Sequence, residues 1–245
     1  MKQNTEITRD TPRKRQRMAP EERRERILDA AQALFYTRGW DDVTVADILA
    51  ETEISKGGFY HHFSAKEDLL DGIIERFTKE ALNDAEASSS AAQGDALARF
   101  NAFLSSTARW KAERSHQLKF FVDAMLRPGN DVQFHRILLL SCAAARPILR
   151  DIIADGAEEG CFDVPDVDLA AETILAYSNA RINVVKKAFG IAEGGDLEGA
   201  AALLNDRMIA EGAMLDRVLG LPEGSIKLAN PTEYRIILRA MLCDK

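Results

Sequence analysis

At 245 residues, 46% hydrophobic and 29% charged, the chain has the make-up of a soluble globular protein able to bury a substantial core. Its net charge of −7 weighs by itself against a nucleic-acid binder, no apolar run reaches the roughly 18 residues of a membrane span, and the polar N-terminus does not read as a secretory signal. Three widely separated cysteines, Cys142, Cys161 and Cys243, form no CxxC pair and fit a reduced, cytoplasmic compartment.

The charge is unevenly placed. Residues 1–66 hold 12 Lys and Arg against 11 Asp and Glu, whereas the rest of the chain holds 20 against 28. Within residues 1–19, which lack apolar periodicity and read as a flexible basic arm, Pro12–Arg17 spells PRKRQR. The N-terminal part can therefore meet phosphate while the acidic remainder keeps the chain soluble.

From Pro20 onward the signals are helical. Pro20 suits a first helical position, Glu21 and Glu22 suit the first turn, and Ile27, Ala31, Leu34 and Phe35 recur at helical spacing up to a Gly39 C-cap. Thr44–Asp47 is a capping-box-like start for a second helix, with Val45, Ile48 and Leu49 on one face. Ser55 is an N-cap for a short third helix ending near Phe63. Ser64–Glu67 reads as a second capping box, opening a helix buried through Leu69, Leu70, Ile73, Ile74 and Phe77. The small-residue stretch Ser88–Gly94 is expected to connect two domains. Further helical stripes follow: Leu118–Met125, Phe134–Ile152 with a kink or restart at Pro147, 166–189, Leu203–Leu219 and Thr232–Leu242. With no strand alternation and no repeat, the expected fold class is all-α.

Residues Val43–Phe63 read VTVADILAETEISKGGFYHHF, two short helices separated by a turn of helix-turn-helix length. Ile54, Phe59 and Phe63 can pack inward while Lys56, Gly57, Gly58, Tyr60 and His61 face DNA. Two glycines inside a helix cost roughly 1 kcal/mol each relative to Ala, which makes sense where the helix start must approach a phosphate or base edge closely.

The run SKGGFYHHF followed by SAKEDLL resembles the DNA-binding signature of the tetracycline-repressor family, and Ile27–Phe35 resembles that family's first helix. The specific resemblance covers about residues 20–70; the Gly156–Phe162 stretch resembles the family's GxxxGxF. It implies an N-terminal three-helix helix-turn-helix domain (20–66) and a larger C-terminal helical domain (67–245) for effector binding and dimerisation. It also implies that Thr44, with Val45 beside it, lies against the backbone and that Ser55, Lys56, Gly57 and Gly58 reach the groove. Tyr60 and His61 would contact phosphates or bases, and Lys66 would meet the backbone. Arg15 and Arg17 of the arm, outside the family motif, could enter the flanking minor groove. Two departures stand out: Glu53 occupies a turn position where the family has Gly, and Leu49 stands where the family has a small residue, so an altered turn is expected.

In the larger domain Phe103, Trp110, Phe121, Met125, Phe134 and Tyr177 are core-type residues, and the resemblance implies that a subset lines an effector cavity. Arg181 could pair with a partner's acid at a dimer interface or meet an anionic effector. The resemblance also implies that the helices at 166–189 and 197–220 build a four-helix bundle across a two-fold axis. The implied function is a homodimeric repressor that binds a palindromic operator in double-stranded DNA and is released by a small molecule. The alternative is a DNA-binding regulator without such an effector, controlled by a protein partner or acting as an activator. No GxSxG, Walker-type loop or HExxH is present, and His61, His62, His116 and His135 show no triad or metal spacing, so no enzyme, metal or cofactor is expected.

Overall fold

Apolar residues three and four apart along α1 (Pro20–Arg38) put Ile27, Leu28, Ala31, Leu34 and Phe35 on one buried face, and the helix stops at Gly39, whose φ of 82° lets its amide reach back to the Phe35 carbonyl at 2.9 Å. The structure, a computed structural model, describes residues 19–126 and 131–242, so the basic arm with Arg15 and Arg17 lies outside the described residues. The described residues form only helices, turns and loops. Those after α1 are α2 (Val45–Thr52), α3 (Lys56–Tyr60), α4 (Lys66–Ala91), α5 (Ala96–Glu113), α6 (Ser115–Leu126), α7 (Asp131–Glu158), α8 (Val167–Ala180), α9 (Ile182–Glu193), α10 (Leu197–Val218) and α11 (Pro231–Leu242).

The first core joins α1, α2, α3 and the first half of α4. Ile27, Leu28, Phe35, Ile48, Phe59, Leu69 and Ile73 are fully enclosed in it, and Trp110 of α5 closes it from the other side. Arg76 clamps α4 to α1 through Asp29 at 2.8 Å and Glu25 at 2.6 Å. A second core gathers α5, α7, α8 and the end of α10 around Phe100, Phe103, Ile153, Ile174 and Leu219, and a third packs α9, α10 and α11 around Ala188, Ala201 and Leu238.

Several sequence expectations change. Ser88–Gly94 is no inter-domain link over most of its length, because α4 continues to Ala91. Ala81, Ala85 and Ser89 form a buried stripe of small side chains, and Ser88 Oγ lies 3.1 Å from Ser106 Oγ of α5. The small residues permit close helix contact instead of breaking the helix. Pro147 sits inside an α7 that is not restarted. The helix expected over 166–189 is instead two, broken at Arg181, while the one expected over 197–220 does begin at Leu197, ahead of the apolar stripe from Leu203, with Asp196 accepting the Gly199 amide at 2.8 Å. At the start of α4 the cap is Asp68, whose carboxylate accepts the amides of Ser64 at 2.7 Å and Ala65 at 3.2 Å; the Ser64 hydroxyl is not the cap. Gly156 lies in α7, and its bare Cα is covered by Phe162: an added Cβ would fall 2.1 Å from the ring.

The expected alteration of the helix-turn-helix corner does not occur. Glu53 adopts the left-handed conformation itself, with φ 54° and ψ 21°. Thr52 holds the corner from inside, its hydroxyl donating to the Ile48 carbonyl at 2.8 Å, and Leu49 packs half-buried on the first core. The corner thus keeps a glycine-type shape with a side chain in place, at a cost of about 1 kcal/mol. Glu53→Gly should therefore raise stability by about that amount, seen as a higher urea midpoint at unchanged slope; a lower midpoint would contradict this account of the corner.

Candidate nucleic-acid interface

Each short helix of the corner is started by its own side-chain cap. Thr44 Oγ accepts the Asp47 amide at 3.2 Å, Asp47 accepts the Thr44 amide at 2.8 Å, and the hydroxyl also donates to that carboxylate. The Thr44 contacts, with Arg38 at 3.3 Å, hold the Asp47 carboxyl below the usual carboxylate range. Ser55 Oγ accepts the Gly58 amide at 3.1 Å and opens α3. Phe59 anchors α3 from beneath, fully buried, with Phe63 5.8 Å away between ring centroids.

With Phe59 pointing in, Ser55, Lys56, Gly57, Tyr60 and His61 are left exposed on one side of the corner, and Thr44 is exposed at the start of α2. Tyr60 retains 48% of its surface. Lys56 Nζ lies 6.0 Å from the Tyr60 ring centre. Val45 is different: it is half-buried and packs on the first core, so of the Thr44–Val45 pair only Thr44 is fully presented. His62 is half-buried, its Nε2 has no hydrogen-bond partner among the described residues, and burial followed by the neighbouring His61 pushes its pKa down.

The two glycines have separate reasons. A Cβ at Gly58 would meet Ile54 Cγ2 at 3.0 Å and Ser55 Oγ at 3.2 Å, so a side chain there would crowd both the packing and the cap. A Cβ at Gly57 would meet nothing within 4 Å, and Gly57 is not among the glycines with positive φ. Nothing among the described residues asks for glycine at 57; a surface brought against α3 would.

Lys66 does not project outward. Its ammonium donates to the Trp40 carbonyl, lies 4.4 Å from the Trp40 ring centre and 5.8 Å from that of Phe35, and burial pushes its pKa down. Trp40 in turn stacks on Phe35 at 4.8 Å. Sequence reasoning missed this platform, since Trp40 carries no motif signal of its own. A backbone contact by Lys66 would require it to leave this seat.

In the C-terminal helices Phe103 and Trp110 are buried core residues, Trp110 standing edge-on to Phe77 at 5.7 Å. Tyr177 is half-buried against the second core. Arg181 meets an acid of its own chain, Glu211. The side chains of Phe121, Met125 and Phe134 lie outside the described residues. Among the described residues no group of His, Cys, Asp and Glu could hold a metal ion, and no helix is long and apolar enough to cross a membrane.

Residues 27–73 match the profile of "Bacterial regulatory proteins, tetR family". Over 157 residues, 61% of this chain and 72% of the relative, the sequence is 27% identical to the HTH-type transcriptional repressor KstR2 of Mycolicibacterium smegmatis. In fold it is similar to a tetR-family regulator of Syntrophomonas wolfei, with a TM-score of 0.52, 21% identity, and coverage of 82% of this chain and 93% of that one. It is also similar to the fatty acid degradation regulator FadR of Bacillus halodurans, with a TM-score of 0.53, 18% identity and coverage of 81% and 98%.

The glycine argument fixes an outcome. Gly57→Ala should fold at least as stably, gaining up to about 1 kcal/mol of helix propensity, while its affinity for genomic DNA fragments at about 0.15 M salt falls about tenfold or more. Melting temperature and fluorescence anisotropy measured together check it. Unchanged DNA affinity would remove the reason offered for Gly57.

Proposed function

We propose that this chain, a DNA-binding transcriptional regulator of the tetR family, is a cytoplasmic homodimeric repressor that binds a palindromic operator and is released by a small molecule taken up in its C-terminal helices. The observation that carries the DNA half is the face of α3 left uncovered by the described residues, where Lys56, Tyr60 and His61 accompany a glycine that none of those residues crowds. In this reading residues 20–66 read the operator and 67–245 bind the effector and the second subunit. Thr44 and Ser55 meet phosphate with whatever hydrogen-bonding capacity their caps leave free.

Two reading heads need a symmetric dimer. Two helices that touch each other offer the surface: α8 exposes Leu169, Ala176 and Ala180, and α10 exposes Ala202, Ile209, Ala210 and Met214. Leu169 at 58% and Ile209 at 56% are among the most exposed large apolar side chains of the described residues, and the alanines between them allow close helix approach. Arg181, tied to Glu211 within its own chain, is not needed as an interface cation.

Release follows from the path of α4, which is buried in the first core over Leu69–Phe77 and carries Ala85 into the second. A ligand that repacks the second core moves α4 and, with it, the angle and spacing of α3. To take the DNA-competent population from 99:1 to 1:99, it must prefer the other arrangement by about 5.5 kcal/mol.

Sedimentation at micromolar concentration should show a dimer. Ile209→Glu should give a monomer that keeps its helical signal and loses about a hundredfold or more in operator affinity, the loss expected when two linked heads become one. A wild-type monomer that binds DNA as tightly would refute the paired-head mechanism.

A further inference from the structure

The seam between the DNA-reading helices and the helices that follow holds a groove of about 660 Å³. That volume lies within the roughly 300–1,000 Å³ of small-molecule sites. Three elements line it: α1 with Asp29 and Tyr36, α4 with Arg76, Phe77 and Glu80, and the α5–α6 corner with Arg114. None of these residues belongs to the second core, where the effector reading given above places its ligand. The groove is a separate site, and what binds there does not depend on that reading.

Of the four charged residues lining the groove, three are engaged. Arg76 is held by Asp29 at 2.8 Å and Glu25 at 2.6 Å. Arg114 lies 4.7 Å from the Trp110 ring centre and 3.6 Å from Glu113. Glu80 alone has no hydrogen bond or ion pair among the described residues. Asp29, although it meets Arg76, keeps 70% of its side chain exposed. Tyr36, 57% exposed, and Phe77 add aromatic surface, whose ring faces attract positive charge. An anion in this groove would find both guanidiniums already supplied with carboxylates and would be repelled by Glu80. A cation would find a carboxylate without a counter-charge and aromatic rings to lie against.

We propose that this groove binds an organic cation with an apolar body, and that the bound molecule alters DNA affinity. Its charge is matched by Glu80, and its body lies against Tyr36 and Phe77. The occupant touches α1, α4 and the α5–α6 corner at once, and Arg76 already ties α4 to α1 across the same seam. A molecule seated there favours one spacing of α1 and α4. Because α1 shares its core with Phe59 of α3, that spacing also sets where α3 stands relative to the helices behind it.

The test titrates the full-length protein by calorimetry with tetraphenylphosphonium and tetraphenylborate, ions of nearly the same shape and opposite charge. Wild type should bind the phosphonium saturably and about tenfold or more tighter than the borate. Glu80→Gln and Tyr36→Ala should each weaken phosphonium binding about threefold or more. Both positions are exposed, so neither variant should melt lower. No binding of the phosphonium, equal or tighter binding of the borate, or phosphonium binding untouched by both substitutions would overturn the site. Affinity for genomic DNA fragments is measured in parallel, with and without saturating phosphonium. It should change about threefold or more in the wild type and less in the two variants at the same phosphonium concentration. Unchanged DNA affinity at saturation would overturn the regulatory role. An equal change in wild type and variants would also overturn it, by moving the responsive site elsewhere in the chain.

Discussion

Helix α4 is buried at one end in the core that seats α3 and at the other in the core of the C-terminal helices, and this double burial is the constraint on which the rest of the structure depends. At 26 residues it is about 39 Å long. Arg76 fastens its first half to α1, and Trp110 of α5 packs against Phe77 from the other side. Close-packed interiors transmit displacement instead of absorbing it, so α4 cannot shift in one core and stay put in the other. The glycine at 72 tightens the link: a Cβ there would meet Leu28 Cδ2 at 3.0 Å.

The reading surface is small and sharply divided. Phe59 and Phe63 hold α3 from inside, while Lys56, Tyr60 and His61 are left without cover. Lys66 and Trp40 brace the corner from behind, which explains a lysine at the start of α4 whose charge is turned toward an indole. The dimer surface proposed on α8 and α10 lies in the part of the chain packed around the second and third cores, where a ligand can bias the relative placement of two such corners.

The helices around the DNA-reading corner were legible because their caps are local: Thr44, Ser55 and Gly39 announce themselves within four residues of the groups they satisfy. The left-handed Glu53 was legible as a departure from pattern, though not its outcome, since whether a turn bends to its residue or the residue to its turn is decided by the buried Thr52 and Leu49 around it. Farther along, local signals misled. Ser88–Gly94 has a linker's composition but supplies the small side chains of a tight α4–α5 contact. The break at Arg181 carries neither Gly nor Pro, and the apolar spacing from Tyr177 to Ala188 runs straight across it.

The central claim is that two copies of the α3 corner, carried on α4, read a DNA sequence together. The most direct measurement is to incubate the purified protein with fragmented DNA of its source genome at about 0.15 M salt, where purely phosphate-driven binding is weak, and to sequence the fragments retained. The account predicts enrichment of one palindromic motif whose half-sites lie about a helical turn apart, roughly 34–36 Å. Retention of fragments with no motif in common, or of none at all, would contradict it.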